Sequence, residues 1–561
     1  MSATTMKKVT SMNRLLLLGM MAGALLTTAA VQAAAPGITG PTFNLTAAPA
    51  YLNQPDGNQV YSWGYGCMTA PAGFAPTLPN QACSTMQVPG PTLIVTEGQS
   101  VSVTLTNGLP TPAGNTSILF PDFAVTATGG VAGLLTQEAA PGSTVNYQFT
   151  ATTPGTHAYY SGTQGDLQIE MGLYGAVIVL PKNVPAVCAS GVHASNVEAQ
   201  GAASLAHPGI KETDFRLANS AYDHPGTCYD REYLFQFAEM DSNIHKTALA
   251  QVSDPVRVAA CALSATNPGC SLEVPTEPYH PAYFIINGRS MPDDMDANFD
   301  AVYPHQPYNG NPHMHPGEQV LVRVIGQGRW QHPFHEHGNH VRILARDGNL
   351  ITSPAGPLGT ANQINYAGAS ATGLAGPLLF TTTTTPGQAF DGIFYWTGRG
   401  LNWDAYGHNP GSADTNAKLT CTPDANGYNT SAPTAINYFE WCADHNKPLQ
   451  VAPFGDVPGG GPATLPDPNI FANGAWYSGS PYLGPDATLR AGNPSCASTT
   501  NAGCTPLFPS NIQANPANER AFAFMWHSHN EREITTNNVF PGGMFMMMLV
   551  DSREFVIDES M

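Results

Sequence analysis

Apolar and polar positions alternate with a period of two along much of this chain. In 88–107, Leu93 and Val95 alternate with Ile94 and Thr96. Glu97-Gly98 supplies a turn, and Val101, Val103 and Leu105 then alternate with Ser102, Thr104 and Thr106. A period of two places successive side chains on opposite faces, which predicts a β-hairpin with one buried face. Further strand-like runs fall at 145–150, 157–161 and 173–180, with Pro141-Gly142 and Pro154-Gly155 as punctuation. Several short strands separated by such turns predict a sandwich of two antiparallel sheets.

The pattern then returns. Residues 283–288 and 316–325 echo the first hairpin, with Pro316-Gly317-Glu318 in the place of Glu97-Gly98-Gln99. Strand-like runs at 341–344, 378–385 and 393–396 follow, and two more at 520–526 and 544–550. The fold class expected is therefore all-β, with two copies of one sandwich. Residues 34–185 form the first, 186–230 a linker and 231–561 the second. A third small domain within 186–280 stays open, although that stretch is short of strands. From about 402 to 518 the text turns to Gly, Pro, Asn, Ala and Ser and reads as a long insertion. A loop of that length calls for a functional or interface reason.

Composition narrows the setting. Charged residues are only 11% of the 561, while Gly and Pro number 56 and 49, which suits short strands and many turns. A formal net charge of −19 repels nucleic acid and anionic lipid. The start of the chain reads as a secretory signal over 1–33. Lys7, Lys8 and Arg14 precede an apolar run at 15–26, and Val31-Gln32-Ala33 fits a cleavage site. No later stretch reaches membrane-spanning length. Ten cysteines fall in neighbouring pairs, Cys67/Cys83, Cys188/Cys228, Cys261/Cys270, Cys421/Cys442 and Cys496/Cys504. In an exported chain that predicts disulfides, without fixing their connectivity. The expected location is periplasmic or secreted.

Two histidine clusters carry the chemistry. One is His332-Pro333-Phe334-His335-Glu336-His337-Gly338, and the other is Trp526-His527-Ser528-His529. In a strand, positions i and i+2 share a face, so each His-x-His pair can present two imidazoles to one cation. Imidazole suits copper, zinc, nickel and iron. His335, His337, His527 and His529 are the expected metal ligands, with His332 a further candidate. Glu531 and Glu533 are candidates for fixing an imidazole tautomer or for general acid–base work. The alternatives are packed core histidines and a solvated loop. Asp122 and Tyr160 could each add an oxygen to a metal. Met544 to Met548 reads more simply as a core strand. No phosphate-binding glycine loop and no dinucleotide fingerprint is present.

These motifs resemble the multicopper oxidase family of cupredoxin-fold proteins. Pro89-Gly90-Pro91-Thr92 with Glu97-Gly98 resembles the family's first hairpin. Gly155-Thr156 and Gly172-Leu173-Tyr174-Gly175 resemble the strand pair around its second histidine motif. Residues 332–338 are close to its third motif, and 526–544 resemble its fourth. The resemblance implies two cupredoxin-like Greek-key sandwiches and copper as cofactor. It also assigns His332 and Met544 to a thiolate copper site.

The chain departs from the family at every other ligand. The stretch matching the first motif is Ser117 to Asp122, and the one matching the second is Tyr159-Tyr160-Ser161-Gly162. Neither holds a histidine ligand. Ser528 stands where the family has its copper-ligating cysteine, and Glu533 near its last histidine. A serine cannot supply the thiolate that a blue copper site needs. Four imidazoles can hold one copper, or two poorly, but not three. The function expected is an exported copper-dependent oxidoreductase with a reduced mono- or dinuclear histidine site. Its small-molecule or metal-ion substrate would meet the metal directly. The alternative is a non-catalytic copper-binding or structural extracellular protein. Two-domain members of the family often assemble as trimers, so the resemblance is compatible with a homo-oligomer, a trimer.

Overall fold

The computed structural model describes residues 35–78, 80–189, 216–264, 267–354, 372–399, 422–430, 440–443 and 521–551, with three two-residue strands between 449 and 480 and Ile557. Four sheets dominate, and they pack as two sandwiches.

In the first sandwich, one sheet runs Gly155–Tyr160, Tyr174–Leu180, Leu93–Thr96, Gly37–Thr39, Phe74–Ala75. The other runs Gln59–Cys67, Thr42–Asn53, Ser100–Asn107, Thr144–Thr150, Thr126–Gly129. The alternation predicted around Ser100–Asn107 is present: Val101, Val103 and Leu105 are buried and meet Val177, Val179 and Leu93 of the facing sheet in one core. Interdigitation of two such inner faces is what holds a sandwich together.

The second sandwich repeats the plan. Its larger sheet runs Tyr283–Ile286, Arg231–Met240, Gln319–Gly326, Ala389–Tyr395, Val341–Arg346. The facing sheet runs His313–Met314, Phe545–Asp551, Ala521–Ser528, His332–Glu336, Thr381–Thr384. The pairings correspond strand by strand. Thr42–Asn53 lies parallel to Ser100–Asn107, as Arg231–Met240 does to Gln319–Gly326. Leu93–Thr96 lies parallel to Tyr174–Leu180, as His313–Met314 does to Phe545–Asp551. The sheets are therefore mixed rather than purely antiparallel. Parallel neighbours need long connections, so local turn signals do not reveal them.

Two helices, Ser242–Val252 and Pro255–Leu263, follow Arg231–Met240. Ile244, Ala248 and Val252 fall on one helical face and join the core of the first sandwich. Disulfides join Cys67 to Cys83, Cys188 to Cys228 and Cys261 to Cys270. Cys421, Cys496 and Cys504 lie outside the described residues, as does most of the expected insertion. No described helix is long and apolar enough to cross a membrane.

Candidate metal centre

His332–Glu336 and Ala521–Ser528 are antiparallel neighbours, and His335 is the direct partner of His527. Residues opposite one another point to the same face, so this register puts His335 and His527 side by side. His337 and His529, each two residues further along, follow onto that face. The opposite face carries Phe334 and Trp526, both buried in the sandwich core. Burial of those two rings orients the histidines outward.

The imidazoles converge. His337 Nε2 and His527 Nε2 are 3.2 Å apart. One ligand nitrogen from each of His335, His337 and His527 lies within 4.8 Å of the others. The His335 ring is 4.9 Å from that of His337, 5.4 Å from His527 and 4.7 Å from His529. His529 stands outside the tight trio, with its side chain half exposed.

Two ring orientations are set by hydrogen bonds to Nδ1. His335 Nδ1 is 2.5 Å from Thr381 Oγ1, and His527 Nδ1 is 2.7 Å from the Ser528 carbonyl. A partner on one nitrogen fixes the tautomer and aims the other. Burial, reinforced by His337, His527 and His529, pushes the pKa of His335 down to about 3. Burial likewise lowers that of His527. Both are thus neutral at physiological pH, the form that ligates metal. Thr381 opens a threonine run that reads as low complexity, and nothing local marks it as a partner of His335, 46 residues away.

The other predicted residues lie elsewhere. His332 faces the core side, where its Nδ1 is 2.8 Å from Glu533 Oε2 and its Nε2 is 2.9 Å from Glu239 Oε2. Both of its nitrogens are taken, and the ring is fully buried. Glu533 is buried and also accepts hydrogen bonds from Ser528 Oγ and Asn530 Nδ2, at 2.5 and 2.8 Å. Glu531 is 79% exposed and 3.9 Å from His529 Nδ1. Met544 is a buried core residue. Asp122 pairs with His157 at 2.9 Å. In the first sandwich, Ser117 and Ser161 lie in the two stretches that lack histidines, and Ser161 Oγ donates to Gln168 Oε1 at 2.7 Å. Ser117 Oγ is 2.8 Å from Thr163 Oγ1, and Thr163 Oγ1 donates to Glu138 Oε1 at 2.9 Å. Glu239 was not singled out in the sequence, where it is one of two acids within a largely apolar strand.

His332 gives a pH prediction. Burial pushes its pKa down, but the hydrogen bonds and charges of Glu239 and Glu533 outweigh that and raise it to about 9. A raised folded-state pKa gives stability that is complete below the unfolded value, about 6.5, and lost as pH rises through 9. Urea unfolding of the metal-free protein should show a loss on the order of 3 kcal/mol between pH 6 and pH 10. A flat profile over that window would refute the imidazolium assignment.

Residues 80–184 match the family model described as multicopper oxidase. Among curated proteins, the chain is 37% identical over 98 residues to a copper-containing nitrite reductase of Pseudomonas chlororaphis, covering 17% of this chain and 26% of that protein. It is 37% identical over 103 residues to a multicopper oxidase of Talaromyces pinophilus, covering 18% and 16%. The matches thus span about a quarter or less of these relatives' length. A solved blue copper oxidase from Nitrosomonas europaea aligns over 90% of this chain and 85% of its own, at 14% identity and a TM-score of 0.40. Residues 80–184 are thus similar to multicopper oxidases.

Proposed function

We propose that this protein is a copper-dependent oxidoreductase whose metal is held by His335, His337 and His527, with His529 able to join. The observation that carries this is the 3.2 Å approach of His337 Nε2 to His527 Nε2 inside a cluster of buried imidazoles. Two nitrogens bound to a common divalent ion at about 2.0–2.1 Å can be no more than about 4.2 Å apart, so this pair fits one ion. An all-imidazole set suits copper or zinc, and similarity to a copper-containing nitrite reductase and a multicopper oxidase favours copper. Bound copper would supply one-electron redox chemistry at an open coordination position.

The chain's own groups favour direct contact with substrate. His529 and Glu531 are exposed at the site, and Glu531 is the carboxylate placed to exchange protons there. Glu533, on the other face, holds Ser528 and His332. Phe380 and Met525 are exposed, and the Met525 carbonyl accepts a hydrogen bond from His337 N at 3.2 Å. Phe380 packs edge-on against His335 and His340 at 5.7 and 4.9 Å. An apolar rim of this kind would take a small organic substrate. Export is supported by the signal-like start and the three disulfides, and a homotrimer by family resemblance alone.

The test is metal content and electron paramagnetic resonance of protein purified without added metal. Turnover of phenols, cuprous and ferrous ions is then assayed. We expect about one copper per chain, an all-nitrogen signal and no intense blue colour. Copper uptake without turnover of any of these would favour the carrier or structural reading, and no uptake at all would end both metal readings.

A further inference from the structure

Behind the histidine trio, on the core side of the same two strands, lies a second polar cluster. Its centre is the fully buried His332, held between Glu239 and Glu533. Glu239 Oε1 also accepts hydrogen bonds from the backbone N–H groups of Arg329 and Trp330, at 2.6 and 2.9 Å. These residues lead into His332–Glu336. Glu533 Oε2 also takes the Ser528 hydroxyl, and Asn530 N donates to Ser528 Oγ at 3.2 Å. A Cβ on Gly328 would run into the Glu239 carboxylate and displace it.

We propose that Glu239, His332, Glu533 and Ser528 form a metal-free clamp that sets the spacing between the two histidine pairs. The argument is one of placement. The cluster ties three pieces of chain together: Arg231–Met240 through Glu239, His332–Glu336 through His332, and the turn after Ala521–Ser528 through Glu533. His335 lies three residues beyond His332, and His529 lies inside the turn that Glu533 closes. A change in the clamp therefore moves one histidine pair against the other. With a carboxylate on each ring nitrogen, His332 has no lone pair to offer a cation. Buried charges of this kind are costly unless geometry and hydrogen bonding are complete, and here both ring nitrogens and all four carboxylate oxygens are engaged. Metal sites need ligands held to within about 0.5 Å. Residues that orient ligands are typically worth 10–100-fold in affinity.

This inference rests on the metal reading, and its test is built so that the two can fail separately. Glu533→Gln leaves His332 paired with Glu239 and the cluster neutral, whereas Glu533→Ala opens the turn. Full-length wild type and both variants are titrated with Cu²⁺. Imidazole resonances of His337 and His527 are followed by NMR in the metal-free proteins. We expect Glu533→Ala to keep one site per chain but weaken it 10–100-fold with altered spin-resonance parameters. The Gln variant should recover to within threefold. Unchanged affinity and spectrum in Glu533→Ala would overturn the clamp, as would loss of a whole copper equivalent, which would make the cluster itself a metal site. If wild type takes up no copper, the functional proposal falls. The clamp is then judged on the metal-free imidazole resonances: a shift in Glu533→Ala, restored in Gln, supports it, and no shift overturns it.

Discussion

His527→Ala should reduce Cu²⁺ binding from about one equivalent to below a tenth at micromolar protein, with the β-sheet circular dichroism unchanged. The His527 ring meets both His335 and His337 from the opposite strand, at 5.4 and 5.1 Å. Removing it leaves two imidazoles on one strand, and the exposed His529 would have to complete the set. Its side chain is buried but lies on the face away from the sandwich core, so the fold should tolerate the loss at less than the roughly 2–5 kcal/mol of a core truncation. His337→Ala should match it, whereas His332→Gln should leave one equivalent bound while lowering stability. Isothermal titration with Cu²⁺, paired with urea unfolding, separates these outcomes. Full binding retained in His527→Ala would show that the three rings do not act on one ion.

The convergence behind that prediction was legible in the sequence because it depends on a local rule. Two His-x-His pairs in strand-like text must each share a face, and one register pairing then brings them together. The repeated hairpin was legible for a similar reason, since the turn at Gly98 and the turn at Gly317 both have positive φ and recur before matching strands. The helices were not singled out, although their caps were in view. Asp241 and Asp254 accept hydrogen bonds from Asn243 N and Val256 N, and Pro255 opens the second helix. Those are ordinary N-terminal signals that a search for strands passes over. The pair Thr42–Asn53 and Gln59–Cys67 was missed because Ala47, Ala48, Pro49 and Ala50 blur the alternation. The partners of His332 were hidden differently. Glu239 lies 93 residues from it, and no local pattern shows which buried acid meets which buried base.

Long-range polar contacts of that kind also join the two sandwiches, and Arg323→Met there should cost about 3–5 kcal/mol, the usual effect of removing one partner from a buried ionic cluster. Arg323 Nε donates to Glu232 Oε2 at 2.8 Å, and its Nη1 lies 3.1 Å from Thr156 Oγ1 and 3.5 Å from Asp391 Oδ1. Asp391 also accepts hydrogen bonds from Thr156 Oγ1, Thr156 N and the Tyr222 hydroxyl, at 2.6, 3.1 and 2.5 Å. Thr156 belongs to the first sandwich and Asp391 to the second, so the guanidinium neutralises two carboxylates at their seam. Burial disfavours its charge, but Glu232 and Asp391 more than offset this and hold its pKa above the ordinary arginine value. Methionine fills similar space yet leaves both acids buried without a cation. Thermal unfolding should therefore start earlier and separate into two steps, with the first sandwich released before the second. The histidine pairs are carried by the other sheet of the second sandwich, so copper stoichiometry below the first step should stay at one per chain. A single transition with unchanged midpoint would show that the seam is held by its apolar contacts, chiefly Ala158, Ile178, Leu234 and Ile325, rather than by these charges.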